Sequence, residues 1–344
     1  MKLLVIRFSA LGDVAMTVPV IDSLARQYPD LHLTMLSKGF VAPMFANMPD
    51  NVTFRGIDLK QYKGVGGLYR LFRQLKAEHY DAVADLNDVL RTIVLRQFFR
   101  LAGFRVVHIE KGKAEKKALC KANGKQLKPL KTSFQRYADV FKVLGYPCEP
   151  KFKSIFGNGK GDATLFAEIA DSPTKKHWIG IAPFAAHASK VLPVETTAKI
   201  ISLLHADYNN QLFLFGGGKE ETEQLTLLAK GKERVTVVAG KLKMNGELAL
   251  MSHLDVMLSM DSANMHLASL TGIPVVSVWG ATHPYTGFMG WGQSIQNTIQ
   301  ADLPCRPCST SGNKPCLRGD YACLHQLQAE DIVAKIQHLL PHKP

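Results

Sequence analysis

Leu3-Leu-Val-Ile-Arg-Phe8, followed at once by Ser9-Ala-Leu-Gly-Asp13, is the stretch on which the fold turns. The first six residues read as a short buried strand, and the small polar turn behind them opens a helix expected from Asp13 to Gln27. Working outward, the same alternation repeats. Strands are expected at Leu31–Leu36, Val52–Ile57, Asp81–Leu86 and Arg105–Ile109, with helices at Leu68–Glu78 and Leu90–Arg100. Lys151–Lys176 is rich in Gly, Lys, Ser and Pro and reads as a linker. Beyond it the pattern starts again: strands at Trp178–Ala182, Gln211–Phe215, Val235–Val238, Val256–Met260 and Pro274–Val278, and helices at Val194–Ala206, after Gly218, at Ala263–Leu270 and at Ile332–Leu340. Short apolar runs separated by helices predict parallel sheets with crossovers. The chain is expected to hold two similarly built α/β domains with a ligand in the cleft between them, at the carboxyl ends of the strands.

Composition agrees with that count. The 344 residues correspond to about two domains. With 46% hydrophobic and 21% charged residues the chain is ordinarily globular, which excludes collagen, coiled coil and disorder as the main architecture. No signal-peptide pattern opens it, and no apolar stretch approaches the ~20 residues of a membrane span. The expected location is the cytoplasm, with contact at a membrane surface allowed. Six cysteines (120, 148, 305, 308, 316 and 323) in such a setting read as thiols or metal ligands rather than disulfides.

The net charge of +13 is uneven: residues 1–170 carry +12 and residues 171–344 carry +1. The density peaks between Arg105 and Arg136, with ten basic and two acidic residues. This run is either a solvated lysine-rich loop or a docking surface for an anionic partner such as a phosphorylated lipid, an acidic glycan or nucleic acid. Nucleic acid is disfavoured, because neither interleaved aromatics nor a helix-turn-helix, zinc-finger or RNP signature is present.

Five local patterns carry chemistry. In Ser9–Asp13 a single glycine allows a tight turn at a helix start, where amides can receive an anion. One glycine, and no acid ending the second strand, does not make a dinucleotide fingerprint, so an NAD enzyme is disfavoured. Asp13 is either a helix N-cap or a carboxylate placed as a general base. Lys190, in Ser189-Lys-Val-Leu-Pro193, is either an exposed loop lysine or a point charge for a phosphate. Gly216-Gly-Gly-Lys-Glu-Glu221 lets backbone approach a ligand, and its acids either meet ribose hydroxyls or compensate a helix dipole. Asp261-Ser-Ala-Asn-Met-His266 opens a helix at the expected ligand edge of a sheet and is the most specific local signal. It is followed by Gly272-Ile-Pro274 and Gly280-Ala-Thr-His-Pro284. Finally, Cys305, Cys308, Cys316 and Cys323 are either a zinc site with irregular spacing or a compact loop of reduced thiols.

Taken in order, the Ser9–Asp13 turn, the loop lysine before Pro193, the Gly-rich turn with Glu, and Asp261–His266 with the Gly-x-Pro and Gly-x-Thr-x-Pro stretches resemble the ADP-heptose:lipopolysaccharide heptosyltransferases of glycosyltransferase family 9. The resemblance spans nearly the whole chain. It implies the GT-B fold, two Rossmann-like doubly wound domains facing a central cleft. The acceptor-facing domain would be 1–165 and the nucleotide-sugar domain 166–344, with the C-terminal helix allowed to return to the first. It further implies an inverting transferase that moves heptose from ADP-heptose to an acidic inner-core acceptor. Asp13 would be the base and Lys190 would neutralise the diphosphate. Ser9, Gly12, Gly216, Glu220, Glu221, Asp261, Ser262 and His266 would be donor-binding. The implied reaction uses no cofactor besides its donor substrate, and the absence of any Asp-x-Asp points away from a metal-bridged diphosphate. The basic half would face a phosphorylated glycolipid on the cytoplasmic side of the inner membrane. One departure stands out: Ala185, Ala186 and His187 occupy a stretch that in the family often carries Thr or Ser. A related transferase with another sugar or acceptor, or a non-catalytic nucleotide-sugar-binding protein, are the alternatives.

Overall fold

The computed structural model describes residues 1–170 and 176–342, so the end of the expected linker at 171–175 lies outside the described residues. The chain forms two compact units. The first comprises Met1–Lys111 and Lys131–Ile155; the second comprises Gly112–Leu130 and everything from Phe156 onward. The sequence boundary at 165/166 leaves residues 112–130 with the first half, whereas their contacts group them with the second.

In the first unit the elements are, in chain order, β1 (Lys2–Ile6), α1 (Leu11–Ala15), α2 (Val18–Gln27), β2 (His32–Lys38), β3 (Val52–Ile57), α3 (Gly64–Lys76), β4 (Ala82–Asp85), α4 (Leu90–Leu101) and β5 (Arg105–His108). Helix α5 (Lys113–Leu119) belongs to the second unit, and α6 (Ser133–Val143) returns to the first. The strands make one parallel sheet in the order β3-β2-β1-β4-β5. β1 is central, and Leu3, Leu4, Val5 and Ile6 are fully buried on both faces of the sheet. One face packs Leu4, Ile6 and Val83 against Leu71, Phe72, Leu75, Leu95 and Phe99 from α3 and α4. The single helix expected over Asp13–Gln27 is two helices, because Pro19, near the start of α2, has no N–H to continue the α1 ladder.

The second unit continues with β6 (His177–Ala182), α7 (Val194–Ala206), β7 (Asn210–Leu214), α8 (Gly218–Ala229), β8 (Val235–Val237), α9 (Met244–His253), β9 (Val256–Met260), α10 (Ala263–Leu270), β10 (Val275–Trp279), β11 (Thr298–Gln300), α11 (Ala322–His325) and α12 (Ala329–Leu339). Its sheet is also parallel, in the order β11-β10-β9-β6-β7-β8. Helix α12 packs Ile332, Val333 and Ile336 into the core of this second unit, beside Ile200 and Leu204 of α7. The described part of the expected linker is anchored rather than loose. Gly161 N–H donates to Ser252 Oγ (2.8 Å), its carbonyl lies 2.8 Å from His253 Nε2, and Phe166 is buried.

Each sheet has one place where the strand order reverses. In the first it lies between β1 and β4, in the second between β6 and β9. The crevice at the carboxyl ends of such strands is where open α/β sheets bind ligands. It is also where the sequence motifs fall.

Candidate active site

In the first unit β1 ends at Ile6 and the chain turns through Arg7–Ala10 before α1. Ala10 holds the N-cap position, so Asp13 is the third residue of the helix and not its cap, as one of the two sequence readings had it. Its Oδ2 accepts from Ala10 N–H (3.0 Å) and pairs with Arg7 Nη2 (2.7 Å), while no hydrogen bond is made by Oδ1 among the described residues. The Asp13 side chain is 27% exposed; that of Arg7 is 7% exposed. One carboxylate oxygen is thus tied down and the other faces outward. Burial pulls the Arg7 guanidinium down, but Tyr137, Asp13 and Asp85 outweigh it and its pKa is raised. Burial also pushes the Tyr137 phenol up, and its hydroxyl donates to the Asp13 carbonyl (3.2 Å).

The turn itself is held from β4. Asn87 Oδ1 accepts from the N–H groups of Phe8 (2.6 Å) and Ser9 (3.3 Å). Asn87 N–H in turn donates to Asp85 Oδ1 (2.9 Å), and Arg96 Nη1 bridges Asp85 Oδ2 (3.0 Å) and Asp88 Oδ1 (2.8 Å). Ser9 and Gly12 therefore lie beside Asp13 in the first unit, on a loop stiffened by buried polar groups. Asp85, Asn87 and Arg96 were missed in sequence. The Asp85-Leu-Asn-Asp88 run was visible, but only the strand order places β4 next to β1.

In the second unit the loop after β6 carries Lys190, and β9 runs directly into Asp261. Lys190 Nζ lies 3.5 Å from Asp261 Oδ2, with the two side chains 12% and 9% exposed. Two residues 71 positions apart in sequence thus meet at the strand-order reversal. Ser262 is the N-cap of α10, yet its side chain caps nothing; its Oγ lies 3.3 Å from Ser259 Oγ. That leaves the amino end of α10 open toward an anion. His266, one turn in, is buried. Gly216 sits against α8, where a Cβ would come within 3.1 Å of Glu221 Oε2. Glu221 Oε2 accepts from Gly217 N–H (2.7 Å), so this acid already serves its own turn, whereas Glu220 is exposed.

The cysteine loop supports this cluster from behind. Among the described residues no group of three or more His, Cys, Asp or Glu is arranged to hold a metal ion. All six cysteines are free thiols. Burial pushes Cys323 up to about 11 and raises Cys308. The organising residue is Arg306, which is buried and donates to the carbonyls of Trp279 (2.9 Å), Gly280 (2.6 Å) and Thr282 (3.0 Å) and to Gln300 Oε1 (3.0 Å). The fixed loop then passes its order on. Ala281 N–H donates to Ser189 O (3.0 Å), and Ser189 Oγ donates to Gly312 O (2.7 Å). Gly312 has φ +81°, and a Cβ there would lie 2.8 Å from Lys190 Cγ. Lys190 is thereby walled in by a loop more than a hundred residues away in sequence.

Part of the basic run at Arg105–Arg136 is engaged within the protein. Lys125 Nζ donates to the carbonyls of Cys305 (2.8 Å) and Pro307 (3.1 Å). Lys111 Nζ donates to Asp88 O (2.7 Å), Arg136 to Glu110 O (3.1 Å), and Lys131 pairs with Asp139 (2.6 Å). Lys116 stands over the Phe288 ring, 4.2 Å from its centroid. These residues fasten part of the segment, while Lys113, Lys117, Lys121 and Lys128 are exposed. No helix among the described residues is long and apolar enough to cross a membrane.

Comparison with known proteins follows the same lines. The family model of glycosyltransferase family 9 (heptosyltransferase) matches residues 68–316. Lipopolysaccharide heptosyltransferase 3 of Escherichia coli is 23% identical over 337 residues, covering 96% of each chain. Among solved structures, a glycosyltransferase family 9 protein of Veillonella parvula superposes with TM-score 0.74 at 18% identity, over 98% of this chain and 96% of that one. The E. coli heptosyltransferase WaaC with ADP superposes with TM-score 0.69 at 18% identity, over 98% of this chain and all of the other. These superpositions carry the expected GT-B architecture of two Rossmann-like domains. By the match over most of its length, the chain belongs to glycosyltransferase family 9, the heptosyltransferases, and is a glycosyltransferase.

Proposed function

We propose that this enzyme transfers heptose from ADP-heptose to an acidic lipopolysaccharide inner-core acceptor, with inversion at the anomeric carbon. The observation that carries the reading is the Lys190–Asp261 pair at the strand-order reversal of the second sheet, beside the uncapped amino end of α10. A cation and open helix amides together suit a diphosphate. An E. coli relative solved with ADP, and curated relatives described as lipopolysaccharide heptosyltransferases, support the choice of donor and acceptor.

The chemistry then follows. The Asp13 carboxylate takes the proton of the acceptor hydroxyl through Oδ1, while Arg7 and the Ala10 N–H hold Oδ2. The freed oxygen attacks the anomeric carbon from the face opposite ADP. The bond from that carbon to the β-phosphate oxygen breaks, and ADP leaves with the electron pair. Lys190 and the α10 amides receive the charge that develops on the leaving diphosphate. Asp261 is left to meet donor sugar hydroxyls, with Ser262 and His266 at the phosphates, Gly216 and Glu220 or Glu221 at the nucleoside, and Ser9 and Gly12 lining the Asp13 turn. No step draws on a divalent ion or a cofactor. The acceptor's phosphates match the basic character of the first half of the chain, which favours work at the cytoplasmic face of the inner membrane.

The test is transfer from ADP-heptose to Kdo-lipid A in the presence of EDTA, following ADP and the anomeric configuration of the product. Acceptor-dependent ADP release with an inverted product is the expected result. A retained configuration, or release that requires a divalent ion, would overturn the mechanism. Transfer only from a different nucleotide sugar would overturn the donor.

A further inference from the structure

We propose that Asn87, just past the carboxyl end of β4, is a positioning residue for the reaction: it sets where Asp13 stands. This role rests on the reading of Asp13 as the base. The Asn87 side chain is sunk beneath the turn between β1 and α1, with the residue 1% exposed. Its Oδ1 accepts from Phe8 N–H (2.6 Å) and Ser9 N–H (3.3 Å), and its Nδ2 donates to Ser9 O (3.4 Å). One amide thus engages both backbone polar groups of Ser9. Its orientation follows from those partners, because the oxygen must face the two donors and the NH2 the carbonyl. The residue before it takes a second route to the base. Leu86 N–H donates to Ile6 O (3.0 Å), and Leu86 O accepts from Arg7 Nη1. The same guanidinium pairs through Nη2 with Asp13 Oδ2. Leu86-Asn87 therefore fixes both the backbone that leads to Asp13 and the cation that orients its carboxylate. Helix α1 is only five residues long and could not hold that carboxylate by itself.

The chain next to Asn87 is strained, and the strain is held from several sides. Asp88 has φ +44°, in the left-handed region that a residue with a Cβ enters at a cost. Its N–H donates to Asp85 Oδ1 (3.0 Å), its Oδ1 accepts from Arg96 Nη1 (2.8 Å), and its carbonyl accepts from Lys111 Nζ (2.7 Å). Asp85 Oδ1 also accepts from Asn87 N–H (2.9 Å), and its Oδ2 pairs with Arg96 (3.0 Å). Asp85 and Arg96 are both buried. A buried ion pair is weak evidence for stability, and a plain polar loop would join β4 to α4 without one. Strain over-determined by buried charges is instead the mark of a side chain held for a task. Asn87 is the side chain this arrangement delivers to the Asp13 turn.

The test compares Asn87→Leu, which keeps the shape and removes both hydrogen-bonding ends, with Asn87→Asp, which keeps an acceptor for the Phe8 and Ser9 N–H groups. Steady-state transfer from ADP-heptose to Kdo-lipid A is measured on the full chain, with melting curves. A displacement of about 1 Å can cost about a hundredfold, so Asn87→Leu should lose about that much in kcat while the KM for acceptor and the Kd for donor change less than about threefold. Asn87→Asp should recover at least about tenfold of the loss. Thr92→Val is the structural control. Thr92 Oγ1 accepts from Val89 N–H (3.1 Å) at the start of α4, so its removal should lower Tm and leave kcat within about threefold. Should Asn87→Leu fold poorly, Asp88 carries the test: both Asp88→Gly and Asp88→Ala lose the Arg96 contact, but only glycine adopts φ +44° freely, so Asp88→Gly should keep the higher kcat. A rise in KM with kcat unchanged, an equal kcat loss in Thr92→Val, no recovery in Asn87→Asp, or equal rates in the two Asp88 variants would overturn the inference. Asp13→Asn is run alongside. Transfer lost there but kept in Asn87→Leu sinks the positioning role and leaves the base, and the reverse sinks the base and leaves Asn87 as the residue that sets the turn.

Discussion

Gly312→Ala tests whether the cysteine loop exists to position Lys190. Gly312 sits at φ +81°, and an added Cβ would lie 2.8 Å from Lys190 Cγ, 2.9 Å from Lys190 Cδ and 2.9 Å from Ser189 Oγ. Gly319 offers the control, since it has φ +80° with nothing within 4 Å of an added Cβ. Both alanines pay the left-handed backbone penalty of about 1–2 kcal/mol, a shift of a few degrees in Tm. Only the first must also move Lys190. A charge pair at ~4 Å is worth about 4 kcal/mol at the effective dielectric of a half-buried site, so displacing Nζ to twice that distance from the leaving diphosphate forfeits about 2 kcal/mol. That is about thirty-fold in rate. Steady-state ADP release at saturating acceptor, with melting curves for both variants, gives the comparison. The expected result is similar Tm losses with a rate loss confined to Gly312→Ala. Equal rates in the two variants would refute the claim that the loop acts through Lys190.

Four carbonyl or amide oxygens depend on Arg306 in the contacts given above, so Arg306→Met should destabilise the second unit by more than about 3 kcal/mol, read as a drop in the urea midpoint, with Arg306→Lys recovering part. Burial pushes Glu247 up to about 7. Its folded pKa lies above the unfolded value, so its contribution is full below about 4.5 and is lost as pH rises through 7, by at most roughly 3 kcal/mol. Glu247→Gln should remove that component when urea midpoints at pH 5 and 8 are compared. His283 has the opposite sign: burial first, then Arg306 and Lys125, lower it to about 4. Its contribution is present above about 6.5 and is lost as pH falls toward 4, so His283→Asn should flatten the acid limb of the same measurement.

Much of this was legible because it is local. β1 carries a run of four fully buried apolar residues, Leu3–Ile6, and the helices starting at Leu90, Val194 and Ala263 begin where apolar periodicity and polar breaks coincide. Of the motif residues, Asp261 stood out because it follows a strand directly, and Asp13 and Lys190 because they lie in the first helical turn after β1 and in the loop after β6. What sequence hid depends on partners brought close only by strand order. Asn87 reaches the Asp13 turn because β4 pairs with β1, and Arg306 reaches the end of β10 from a loop whose cysteines drew the eye. The break at Pro19 was visible in the sequence; its missing N–H is a local signal that the continuous apolar pattern obscured. The charge count is coarse for another reason. Formal charge does not tell a lysine fastened to a carbonyl, such as Lys125, from an exposed one, such as Lys60.

The central claim is that Asp13 moves the acceptor's proton while the second unit holds the donor. Asp13→Asn preserves shape and the bond from Ala10 N–H while removing the base. Titration calorimetry with ADP-heptose and single-turnover transfer to Kdo-lipid A, on the same preparation, separate the two roles. The account predicts donor affinity within about twofold of the unaltered enzyme and a loss of transfer of at least about a hundredfold. Transfer retained near the original rate would contradict it.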